Sequence, residues 1–181
     1  MTIQTARLAR GSHEGPGRGM CAMELVSMLA GAPFGDRPER VCPALAAFVR
    51  GYNDGIDTRR RQDLIRIAPD LLDARRSPEL GRIRAERCFA LAAEAHATGP
   101  LRLMRPRFPY DEEIHNLERA GRLAARAARR QEGWHARSLA FIAGLARLGA
   151  VTTPMAPTTP TAPAPPAAAG PLSAARARSC A

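Results

Sequence analysis

Alanine outnumbers leucine, isoleucine, valine and phenylalanine combined in this chain, 36 residues against 33. That ratio constrains the fold more than any motif does. Alanine is the strongest helix former, and its small side chain lets helix backbones approach closely. Sheets depend instead on β-branched and aromatic residues. The chain has only 4 Val and an aromatic fraction of 4%, which argues against a β-sandwich or barrel. The expected class is all-α. The 181 residues allow one domain with some chain to spare, and are too few for a TIM barrel. So small a share of large apolar residues also places parts of the chain near the boundary of disorder.

Apolar periodicity and helix punctuation divide the chain. Residues 1–19 contain four Gly, one Pro and no periodic pattern, and read as a flexible leader. A helix over 20–30 is apolar around most of its circumference, with Glu24, Ser27 and Met20 on one narrow side. Gly31 and Pro33 stop it. Pro43 opens the next helix, in which Leu45, Phe48, Val49 and Tyr52 form the cleanest stripe in the chain. Asp57 caps a third helix carrying Leu64, Ile65, Ala68, Leu71 and Leu72, with a kink or a break expected near Ala68 because Pro69 follows.

Ser77-Pro78-Glu79 starts a fourth helix, whose apolar side, Leu80, Ile83, Cys88 and Leu91, is interrupted by Arg84 and Arg87. Asp111 caps a fifth, with a thin stripe of Ile114, Leu117, Ala124 and Ala128. Gly133 precedes a sixth bearing Trp134, Leu139, Phe141, Ile142, Leu145 and Leu148. The reading is a small irregular bundle of about five or six helices over 20–149. Its core combines Leu25, Leu29, Leu45, Phe48, Val49 and Leu64. From 150 to 181 the composition turns to Pro, Ala and Thr, with Pro at 154, 157, 160, 163, 165, 166 and 171. Such a run reads as a disordered tail.

The net charge is +10, and all 27 cationic side chains are Arg, with no Lys. A basic surface of this kind suits nucleic acid or another polyanion. The same composition follows from GC-rich codons, which favour Arg, Ala, Gly and Pro together. The four cysteines, Cys21, Cys42, Cys88 and Cys180, form no C-x-x-C pair, which argues against zinc ribbons and favours reduced thiols in the cytoplasm. No stretch approaches the ~20 apolar residues of a membrane span, so no membrane partner is expected.

Between residues 19 and 76 the chain carries Met20-Cys21-Ala22-Met23-Glu24, Leu29-Ala30-Gly31-x-Pro33, Asp36-Arg37-Pro38, Cys42-Pro43 and Tyr52-Asn53-Asp54. This pattern resembles an uncharacterised family of small helical proteins from GC-rich bacteria. The resemblance implies an all-helical module and adds no biochemical activity.

Three constellations carry possible chemistry. Glu24, a carboxylate on a mostly apolar helix, needs a partner. It either caps a helix or pairs with an arginine such as Arg37, or else shares a polar site with Asp36, Asn53 or Asp54. The first is simpler in a chain with 27 Arg. Two Glu-x-x-His pairs, Glu112 with His115 and Glu132 with His135, match the spacing of di-iron carboxylate ligands. They start consecutive helices, and an antiparallel hairpin would hold them roughly 25 Å apart at ~1.5 Å rise per residue. Asn53-Asp54-Gly55-x-Asp57 begins like a calcium loop, but Leu64 stands where the closing acid belongs, and helix capping accounts for it. No cofactor is expected.

Function therefore divides among a helical protein-interaction or regulatory module without catalytic activity, a nucleic-acid binder and a small enzyme with a site around Glu24. The first is the favoured expectation. The second would use Arg122, Arg126, Arg129 and Arg130, which recur at helical spacing.

Overall fold

Seven helical segments account for the regular structure of the computed structural model, which describes residues 6–72, 74, 77–98 and 113–149. They are α1 (Ala22–Leu29), α2 (Pro43–Gly55), α3 (Thr58–Arg61), α4 (Leu64–Leu72), α5 (Pro78–Ala97), α6 (Glu113–Arg130) and α7 (Trp134–Arg147). Among the described residues there is no strand, only two isolated β-bridges, and the fold is a small all-α bundle. The expected tail, 150–181, lies outside the described residues, as does Asp111.

The helix starts follow from local chemistry. Cys21 caps α1: its Sγ accepts from the Glu24 N–H at 3.4 Å, and the Glu24 carboxylate reaches back to the Cys21 N–H at 2.6 Å. This is a capping box with a thiol in place of the usual hydroxyl. Gly31, at φ +64°, takes the chain out of the helix. Pro43 opens α2, Asp57 caps α3 through the Arg60 N–H at 3.0 Å, and Ser77 caps α5 through the Leu80 N–H at 3.4 Å.

Pro69 does not break its helix. α4 runs through it to Leu72, and the interruption falls earlier, at Gln62 and Asp63. Pro69 removes only one backbone N–H donor, whereas at Gln62 and Asp63 the backbone bonds shift to the i−3 pattern of a turn, from Gln62 N–H to Arg59 O and from Asp63 N–H to Arg60 O.

α2 is the centre of the bundle. All residues 44–53 are buried, and the helix packs against α1, α5, α6 and α7. Leu25, Leu45, Phe48, Val49 and Leu64 share one core, with Leu29 half-buried at its edge. Phe48 meets Phe141 edge to face, with ring centroids 6.0 Å apart. The closest packing is between α2 and α6. A methyl on Gly51 would overlap the Glu118 carbonyl, and one on Gly55 would come within 2.7 Å of Ala125 Cβ. Gly51 and Gly55 on one helix, and Gly121 and Ala125 on the other, repeat at i, i+4, so two small-residue stripes lie backbone to backbone.

Several arginines serve this scaffold. Arg84 is fully buried and donates to the carbonyls of Leu145 at 2.9 Å and Leu148 at 2.9 Å, where α7 ends. Arg61 does the same for α2, donating to Asn53 O at 2.8 Å and Ile56 O at 2.9 Å. Both cations sit at the negative end of a helix and add donors to the carbonyls of its last turn and cap. Arg87, by contrast, is exposed.

Residues 6–19 do not behave as the flexible leader that their Gly content suggests. Leu8 is 2% exposed and lies within the core cluster, and the Ala9 N–H donates to Met20 O at 2.7 Å. Helical periodicity cannot register such a segment, because side chains from other elements hold its backbone.

Candidate functional site

Three of the four polar residues singled out from sequence converge on that N-terminal segment. Glu24 is wholly buried, and its carboxylate accepts from the His13 N–H at 2.6 Å as well as from Cys21. His13 Nδ1 lies 2.8 Å from Glu24 Oε2. Asn53, also fully buried, donates to Ala9 O at 3.0 Å and accepts from the Ala22 N–H at 3.3 Å. Asp54 accepts from the Gly11 N–H at 2.8 Å and orients the Asn53 amide at 3.1 Å. Gln62 completes the set. Its oxygen accepts from the Leu8 N–H at 2.9 Å, and its nitrogen donates to Leu8 O at 3.0 Å.

Glu24, Asn53, Asp54 and Gln62 thus form a polar cradle that reads the main chain of residues 8–13. The partner of Glu24 is His13 rather than Arg37, which is exposed and lies 4.0 Å from Asp36. Asp36 stands apart from the cradle. Its carbonyl accepts from Arg50 at 3.0 Å, its carboxylate lies 3.8 Å from Arg50 Nε, and Arg50 also donates to Glu118 at 2.9 Å. The Cys21-x-x-Glu24 capping spacing was the legible sign of the Glu24 role. Gln62 carried no sign, because its partner is 54 residues away.

The cradle lacks the features of an acid–base site. The Glu24 carboxylate is enclosed and committed to three donors, two of them backbone amides. Next to it, burial above all pushes the Cys21 thiol up to about 12, which leaves it protonated and a poor nucleophile.

His135 sits in a second network. Its Nε2 lies 3.0 Å from the Asp63 carboxylate and its Nδ1 3.0 Å from the Tyr52 hydroxyl. Tyr52 is fully buried, and burial raises its hydroxyl to about 12. The order Asp, His, Tyr superficially resembles a relay, but its last oxygen is sealed in the core and ties α7 to α2. Glu132 is exposed and outside this network, and Glu112 lies outside the described residues. Among the described residues no group of three or more His, Cys, Asp or Glu is placed to hold a metal ion.

The arginines of α6 form the other candidate. Arg126, Arg129 and Arg130 are exposed, and Arg122 is half-exposed with Glu118 3.6 Å away. Arg119, which the sequence reading omitted, is exposed on the same side. At ~100° per residue the five fall within an arc of about 100°. The i, i+3, i+7, i+11 series from Arg119 to Arg130 was legible and extends the four-residue face by a turn. Arg119, Arg126, Arg129 and Arg130 have no carboxylate partner among the described residues. The side of α6 next to the ridge, from the backbone of Glu118 and Arg122 to Ala125, packs closely against Gly51 and Gly55, so the ridge stands on a rigid support.

No protein-family model, no curated protein and no solved structure matches this chain.

Proposed function

We propose that this chain is a helical interaction module without chemistry of its own, and that it docks an acidic protein surface through the arginine ridge of α6. The supporting observation is the contrast between its two polar constellations. The buried one is spent on the chain's own backbone, while the exposed one presents guanidinium groups of which Arg119, Arg126, Arg129 and Arg130 have no carboxylate partner among the described residues. Guanidinium is the cation best suited to bidentate pairing with carboxylates. Cys21, Cys42 and Cys88 are buried free thiols, which supports a reducing compartment such as the cytoplasm. Among the described residues no helix is long and apolar enough to cross a membrane.

A second reading, non-specific nucleic-acid binding by the same ridge, draws on the same exposed cations. It is less favoured because, within α6 (Glu113–Arg130), no Asn, Gln, Phe, Tyr or Trp lies on the arc of Arg119, Arg122, Arg126, Arg129 and Arg130 to contact bases, and only the exposed His115 joins them there. Parallel titrations of the full chain with an acidic peptide and with generic duplex decide between them. Saturable, ridge-dependent binding of the peptide at physiological salt supports the protein-docking reading. Tighter, ridge-dependent binding of duplex at that salt overturns it in favour of nucleic acid.

A further inference from the structure

We infer that the cradle of Glu24, Asn53, Asp54 and Gln62 is a peptide-recognition site, filled in cis by residues 8–13 and open in trans to the same segment of a second copy of this chain. This goes beyond the arginine ridge and does not depend on it. The first support is the mode of contact. Four side chains from α1, α2 and the turn between α3 and α4 bind backbone groups of Leu8, Ala9, Gly11 and His13, and Met20 O adds a backbone bond to Ala9. Main-chain hydrogen bonding with a few side-chain anchors is the way folded domains hold extended peptides. The anchors here are Leu8, which enters the core, and His13, which meets Glu24.

The second support is the cost of an empty site. Glu24 and Asn53 are fully buried; if the segment left without replacement, Glu24 would lose both of its contacts with His13 and keep the Cys21 N–H, and Asn53 would lose Ala9 O. An occupant with the same backbone donors and acceptors is therefore required. The third is the connection. Residues 14, 16, 17 and 18 are exposed, within the sequence Glu14-Gly15-Pro16-Gly17-Arg18, and form a short link between the held segment and Met20. Exchange of an identical element across such a link is a low-cost route to association. The sequence already known to fit is this chain's own, with Leu first, Gly fourth and His sixth, which singles out a second copy as the donor in trans.

The test uses the full chain with a specific protease site replacing residues 15–17. After cleavage, a fluorescent peptide of residues 6–13 is added, and anisotropy and circular dichroism are followed. The expected result is unchanged helicity, replacement of the cut segment by the peptide, and binding about tenfold weaker for a peptide carrying His13→Ala. Loss of helicity on cleavage, or failure of the peptide to bind the cut and still helical chain, would overturn the proposal by showing the segment to be an integral part of the core. In a second arm, residues 15–17 are deleted, so that the segment no longer reaches its own cradle. A dimer on sedimentation supports exchange between copies. A folded monomer of the shortened chain overturns the assignment to a second copy.

Discussion

Gly121 on α6 lies against the backbone of Gly51 on α2, so close that a Cβ built on Gly121 would stand 3.0 Å from the Gly51 carbonyl carbon and overlap the Phe48 carbonyl oxygen. The obstruction is backbone, which cannot rotate aside as a flexible side chain can. Gly51→Ala and Gly121→Ala should each destabilise the fold by about 1–3 kcal/mol or more, as overpacking does. Gly144 is the control. It is exposed within α7 and a Cβ there meets nothing within 4 Å, so Gly144→Ala should stabilise by about 0.4–1 kcal/mol. Urea unfolding of the three variants checks the contrast.

Phe48 and Leu45 are both fully buried in the shared core. Phe48→Ala should cost about 3–5 kcal/mol and Leu45→Ala about 2–5 kcal/mol, because each leaves a cavity that neighbouring helices fill only in part. A loss below about 0.5 kcal/mol at either position would contradict the packing around α2.

Arg84 and Arg87 interrupt the same apolar stripe in the sequence, yet only Arg84 is buried and caps α7. Arg84→Met should lower stability by about 1–3 kcal/mol, since it leaves the terminal carbonyls of α7 short of donors. Arg87→Met should leave the unfolding midpoint unchanged. Equal effects of the two substitutions would show that Arg84 acts through charge alone.

Burial raises the Cys21 thiol from 9.0 to about 12 and the Tyr52 hydroxyl from 10.0 to about 12. Below pH 9 both groups are protonated in the folded and unfolded chains, and the stability linked to them is fully present. As pH rises past 9 the unfolded chain loses these protons first and binds fewer than the folded chain, so stability falls. The decline should continue to about pH 12 and then level off. Denaturation midpoints between pH 8 and 11 measure it, and a midpoint independent of pH across that range would show that neither group is sealed from water.

If the α6 ridge meets phosphates at all, affinity for generic duplex falls steeply with salt, and Arg126→Gln with Arg129→Gln should flatten the slope by about one to two units. An unchanged slope in the double variant would place duplex binding elsewhere on the chain. The same variant should weaken capture of an acidic peptide, which is the outcome the docking proposal requires.

The sequence by itself determined the helices. The stripe of Leu45, Phe48, Val49 and Tyr52 fixed α2 as a helix with a buried face, and Pro43, Ser77 and Asp57 marked starts that the backbone adopts. These features are legible because capping and periodicity act within a few residues, where sequence distance and spatial distance coincide. Tertiary structure alone decided which polar residues act together. Asn53 and Asp54 read as turn formers, yet they hold Ala9 and Gly11, more than 40 residues away. Arg84 and Arg87 are equivalent on a helical wheel drawn with soft boundaries, and only the end of α7 distinguishes them. Gln62 bonds locally to Thr58 O, but nothing in that spacing points to Leu8, whose two backbone groups its amide matches. Hydrogen bonds between distant segments depend on where the packed helices bring them. That placement is set by the sum of many apolar contacts around α2, which no short stretch of sequence encodes.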